Sequence, residues 1–109
     1  LKNNSKEEIR RCTKELTCKI LEANSIQKED IVFVIYTVTK DISADFPAKY
    51  ARIDLGFDYV PMMCYREMDV EGALPLCLRI MMTINTNKAQ NEIKHIYLDG
   101  AKALRGDLK

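Results

Sequence analysis

The sequence predicts an α+β domain: a mixed, mostly antiparallel sheet packed on one long amphipathic helix. Three observations carry that expectation. Apolar residues recur at helical spacing from Ile9 to Ala23; Ile31–Thr39 is β-branched and aromatic without a charge; and later apolar runs of strand length are separated by turn signals. At 109 residues the chain suits one domain over 1–109, with a single core and little margin.

Ser5, followed three residues later by Glu8, reads as a capping box: hydroxyl on an early helical N–H, carboxylate reaching back. Ile9, Cys12, Leu16, Ile20 and Ala23 then draw one apolar stripe, while Lys6, Glu7, Arg10, Arg11, Lys14 and Glu22 take the opposite face. Asn24-Ser25 ends this helix. Ile31–Thr39 suits a central strand covered on both faces. After a loop at 40–43, Asp45-Phe46-Pro47 opens a short helix that stops at Gly56. Strands are expected over 59–66 and 76–85, with Asp69-Val70-Glu71-Gly72 as the turn between them. Lys94–Leu98 reads as a short last strand before Asp99-Gly100. One major helix covers one sheet face, so oligomerisation is expected to cover the other.

Composition narrows the function. The 17 Lys+Arg and 16 Asp+Glu are interleaved and leave a net charge of +1, which argues against nucleic acid as the main partner. No run approaches the roughly 20 apolar residues of a membrane span, and no signal region is present. Cys12, Cys18, Cys64 and Cys77 form no C-x-x-C pair, and His95 is the single histidine, so no zinc spacing exists. A cytoplasmic protein with reduced thiols is expected. The chain begins at Leu1 rather than Met, and the natural protein is expected to carry residues before it.

Two lone charges stand out. Arg79 sits inside the apolar run Leu76–Ile84, and Glu67 follows Val60–Tyr65. A guanidinium among hydrocarbon side chains needs an anionic partner. The pair therefore reads as either an internal ion pair or a polar small-molecule site.

Five strings sharpen that choice: Phe46-Pro47-Ala48-Lys49-x-x-Arg52, Cys64-x-x-Glu67-Met68-Asp69-Val70, Cys77-Leu78-Arg79-Ile80-Met81-Met82, His95-Ile96-Tyr97-Leu98, and Ala103-Leu104-Arg105-x-Asp107-Leu108. In this order and spacing the chain resembles the monofunctional, trimeric chorismate mutases of the AroH type, over nearly its whole length. The resemblance implies a homotrimer with a pseudo-barrel at its centre and sites between subunits. It implies conversion of chorismate to prephenate, in phenylalanine and tyrosine biosynthesis, by an intramolecular Claisen rearrangement that uses no cofactor, metal or covalent intermediate.

By the same resemblance Arg79 donates to the ether oxygen and a substrate carboxylate, and Glu67 accepts from the ring hydroxyl. Cys64 lies near Glu67, and Tyr97 binds a carboxylate. Phe46, Ala48 and Arg52 come from the adjacent subunit, while Leu104 and Arg105 cover the site. Lys49, Met62 and Met63 complete the candidate set through the strings that hold them, with the methionines expected also as core and interface filler.

Departures from the family pattern are also legible. The family places a further arginine in a strand ahead of the first helix, and Leu1-Lys2-Asn3-Asn4 match the loop after it; the sheet is expected to lack that edge and the site that clamp. Arg105-Gly106 replaces Arg-Pro, which loosens φ. Tyr65-Arg66 is bulkier and more charged than usual, though neighbours in a strand face opposite ways. The same parity separates Cys64 from Glu67 unless the chain bends between them. Two rivals are weighed: an imine/enamine deaminase of similar architecture, and a degenerate or truncated trimer that binds a dicarboxylate without catalysis.

Overall fold

The computed structural model describes residues 1–98 and 101. Helix α1 (Lys6–Ala23) leads into strand β1 (Ile31–Val38), helix α2 (Pro47–Leu55), strand β2 (Met62–Arg66) and strand β3 (Leu78–Ile84), with short 3-10 turns at Lys28–Asp30 and Gln90–Glu92. Ser5 Oγ accepts the Glu8 N–H at 3.2 Å, as the capping pattern predicts. The Glu8 carboxylate goes elsewhere, to the Lys2 N–H at 3.0 Å and to the Arg11 guanidinium at 2.6 Å. Proline opens α2, and Gly56 closes it at φ +70°, the left-handed cap conformation that suits a residue without a Cβ.

The three strands lie in the order β2-β1-β3. β1 runs parallel to β2 and antiparallel to β3, so the sheet is mixed, with the antiparallel ladder the longer. The parallel pair exists because α2 carries the chain back across the sheet between β1 and β2, a crossover that strand patterns alone did not disclose. Between Ile31 and Phe33 the register slips by one residue. That bulge places both Ile31 and Val34 inward, although their spacing is odd.

The core lies between the inner sheet face and the two helices: Ile9, Val34, Tyr36, Tyr50, Ala51, Phe57 and Leu78 meet there. Tyr36 is fully buried, its hydroxyl 3.3 Å from that of Thr17, and burial pushes its pKa up to about 12. The outer face is different. Phe33, Met63, Tyr65 and Met81 stand exposed on it, so among the described residues β1 is covered on one face and not on both.

The expected strand over Lys94–Leu98 does not form; residues 93–98 are irregular. The Asn24 side chain takes the role of a ladder for one residue: its amide donates to Lys94 O at 2.9 Å and its carbonyl accepts the Lys94 N–H at 2.7 Å. With both backbone groups of Lys94 satisfied by one side chain, no partner strand is needed there. Asp99 and Gly100 lie outside the described residues. Among those described, no helix is long and apolar enough to cross a membrane.

A polar lattice ties α2 to α1. Arg10 forms a two-pronged pair with Asp54 at 2.6 and 2.7 Å and lies 5.5 Å from the centre of the Tyr50 ring. Asp45 accepts from the Tyr50 hydroxyl at 2.7 Å, the Phe46 N–H at 2.8 Å and Lys49 at 3.1 Å, and these donors hold its carboxyl down to about 2. A carboxyl lowered on folding stabilises the fold above its unfolded value of about 4, and the contribution is lost as pH falls toward 2. In acid titrations followed by circular dichroism, Asp45→Asn is expected to unfold with a shallower dependence on pH between those limits than the parent. Glu8, also held near 2, and Asp41 and Asp54, both lowered by their hydrogen-bond donors, keep the remaining slope in both proteins. Identical acid limbs would mean that Asp45 is not coupled to folding.

Candidate active site

The end of β1 organises the two lone charges. Glu67 directly follows β2 and hangs from the end of β1 by its N–H, which donates to Val38 O at 2.9 Å. Arg79 stands on β3 opposite Thr37. Both side chains project from the outer face, and Arg79 Nε meets Glu67 Oε1 at 2.9 Å. The partner that Arg79 demanded is therefore Glu67. Arg66, of opposite strand parity, leaves the pair undisturbed.

The pair is asymmetric. The Glu67 side chain is 15% exposed and that of Arg79 is 51% exposed. Arg79 is thus not sealed among hydrocarbon, as its neighbours in sequence suggested, because the outer face around it bears little cover among the described residues. The contact uses one edge of the guanidinium, whose geometry offers five N–H donors in all. On the carboxylate, Oε2 is buried without a hydrogen-bond partner among the described residues. An ionised oxygen left so costs more than the roughly 1–3 kcal/mol of a neutral orphan. A ligand hydroxyl is the kind of group that would satisfy it.

Cys77 shares the face of Arg79 and is buried. Burial pushes its thiol up, while the neighbouring guanidinium pulls it partly back. Arg79 and Tyr97 both line a groove of about 910 Å³ between α1, β3 and the 93–98 segment, within the size range of small-molecule sites. Arg79 and Tyr97 therefore share one concavity, and Glu67 joins it through the ion pair.

The remaining candidates lie elsewhere in the chain. Cys64 faces inward beside Tyr36, where burial raises its thiol and the Ala48 N–H lowers it; the strand continues unbent to Arg66, so Cys64 and Glu67 stay on opposite faces. Met62 also packs inward against the core, whereas Met63 is exposed on the outer face. Phe46 caps α2 in an exposed position, Ala48 packs against the core, Lys49 pairs with Asp45, and Arg52 is exposed on α2. None of these four lines the Arg79 groove. Leu104 and Arg105 lie outside the described residues. Sequence reasoning missed Thr39 and Asp41, whose hydrogen bonds fasten β3 beside Arg79; the only trace was a hydroxyl and a carboxylate two residues apart at a strand end.

The family model for chorismate mutase type I matches residues 1–108. Chorismate mutase AroH of Bacillus subtilis (strain 168) is 44% identical over 108 residues, 99% of this chain and 85% of that protein. Its counterpart from Thermus thermophilus is 41% identical over 110 residues, spanning 100% of this chain and 89% of that one. A solved chorismate mutase from Clostridium thermocellum superposes with a TM-score of 0.91 at 43% identity, covering 94% of this chain and 91% of the other. With sequence and backbone in agreement along essentially the whole length, the chain belongs to the type I chorismate mutase family.

Proposed function

We infer that this protein converts chorismate to prephenate, an isomerisation in aromatic amino acid biosynthesis. The observation that carries the reading is the Glu67–Arg79 pair, with a buried, unmatched carboxylate oxygen beside a half-exposed guanidinium. In the rearrangement one C–O bond breaks as one C–C bond forms within a single molecule, so no group or electron leaves. Two demands remain. The dicarboxylate must be held in its compact conformer, and the charge that separates as the C–O bond opens must meet fixed partners.

Arg79 answers both demands. Its planar fork grips a carboxylate and donates toward the ether oxygen, where negative charge grows. Glu67 accepts the ring hydroxyl on Oε2 and balances positive charge on the ring. Tyr97 adds a phenol donor from the far wall of the groove.

The working assembly is a homotrimer with its sites between subunits. The exposed apolar row Phe33, Met63, Tyr65 and Met81 supports this, because a monomer in water would leave it uncovered. The separation of Phe46, Lys49 and Arg52 from the Arg79 groove also supports it, since those residues then reach a neighbour's site. The family resemblance assigns Leu104 and Arg105 to the cover of the site. Cys64 backs the site from the core side. The enzyme works in the cytoplasm, apart from nucleic acid.

The test is loss of chorismate absorbance with purified protein, and product identified as prephenate. Conversion well above the spontaneous rate is expected. A rate equal to the uncatalysed one, in a protein confirmed as folded, would overturn the assignment.

A further inference from the structure

The Glu67–Arg79 geometry hangs on two consecutive residues at the end of β1. Val38 O holds the Glu67 N–H at 2.9 Å. Thr39 holds Cys77 twice: its N–H donates to Cys77 O at 3.0 Å, and its Oγ1 accepts the Cys77 N–H at 3.0 Å. The Thr39 hydroxyl in turn donates to Asp41 Oδ1 at 2.5 Å. Both oxygens of Asp41 accept the Leu76 N–H, at 3.2 and 3.0 Å. Leu76 stands at φ +47°, a left-handed conformation unusual for a residue with a side chain. The chain thus enters β3 through a disfavoured turn, fastened by one hydroxyl and one carboxylate, and Arg79 follows three residues later.

Such conformations persist only where the surroundings impose them, and they gather near functional sites. The donors from Thr39 and Leu76 also hold the Asp41 carboxyl below the ordinary carboxylate range, so it stays ionised at neutral pH. We propose that Thr39 and Asp41 form a clasp that holds the strained turn at Leu76 and so sets Arg79 at its working distance from Glu67. They are positioning residues, acting through backbone, and do not touch substrate. The inference rests on the chorismate mutase reading for its kinetic consequence but not for its geometry.

The test uses the full chain and three substitutions. Thr39→Val keeps the shape and removes the hydroxyl, leaving the Cys77 N–H without its acceptor and Asp41 with the Leu76 N–H alone. It is expected to lower kcat about tenfold with KM within about twofold, because misplacement of a fixed group by a fraction of an ångström to 1 Å costs up to about 10²-fold. Thr39→Ser restores the hydroxyl and is expected to restore kcat. Adding Leu76→Gly to Thr39→Val relieves the turn and is expected to recover part of the lost kcat.

The Arg79 Nε–H resonance, followed by 15N NMR, supplies a readout independent of turnover: it shifts in Thr39→Val and returns in Thr39→Ser. Normal kcat and an unmoved resonance in Thr39→Val would overturn the clasp while leaving the enzyme assignment intact. An inactive parent overturns the assignment alone, and the resonance then decides the clasp.

Discussion

Replacing Arg79 by lysine is expected to lower turnover of chorismate by about 10²–10³-fold or more, with secondary structure and assembly unchanged. Lysine preserves the charge, so the change isolates geometry. A guanidinium reaches Glu67 with one edge and still offers donors to a carboxylate and an ether oxygen in one plane, whereas an ammonium is a point charge on a flexible stem. The half-exposed position of Arg79 means that little folding energy is at stake, since solvent-screened pairs contribute about 0–1 kcal/mol. Steady-state kinetics with thermal unfolding and gel filtration check the prediction. Near-normal kcat would remove Arg79 from the centre of the chemistry.

Glu67→Ala separates the two meanings the sequence left open. If the carboxylate serves only to neutralise Arg79, its loss leaves a cation that is already half in water, and both rate and stability change little. If Oε2 receives the ring hydroxyl, the variant loses about 10²-fold or more in kcat while its unfolding midpoint barely moves. Deleting a buried, unmatched oxygen even removes a desolvation cost from the folded state, so a small gain in stability is consistent with the functional reading. An unchanged rate in the folded variant would restore the structural ion pair as the explanation.

Local signals were legible where they were repeated. The stripe from Ile9 to Ala23 gave α1 to within a residue or two, and the Pro47 and Gly56 signals bracketed α2. The pairing of Arg79 with Glu67 was legible because Arg79 stood alone in an apolar run and Glu67 closed another, with Arg66 beside it of opposite strand parity. The mixed, mostly antiparallel character of the sheet was legible too, but its order β2-β1-β3 was not, because a strand's composition does not name its neighbours. The last strand failed for a related reason: Lys94–Leu98 has strand-like residues, but the partner that satisfied Lys94 was a side chain 70 positions away. Cys64 shows the converse. Its spacing from Glu67 matched the family string, and strand parity correctly kept the two on opposite faces. The clasp at Thr39 and Asp41 escaped notice because its members are ordinary polar residues whose significance lies only in which backbone groups they hold.

The Asn24 clamp bears on how this scaffold tolerates change. A ladder of backbone hydrogen bonds fixes every residue along its length, so an inserted residue slips everything beyond it. A single amide fixes one point. Beyond β3 the Lys88 ammonium also reaches the Asn24 backbone oxygen, at 2.7 Å, so a change of length between 88 and 94 is expected to leave the start of Tyr97's approach to the groove in place, provided that the asparagine at the end of α1 is kept. Variation in loop length and constancy of the site are thereby made compatible by one side chain remote from the chemistry.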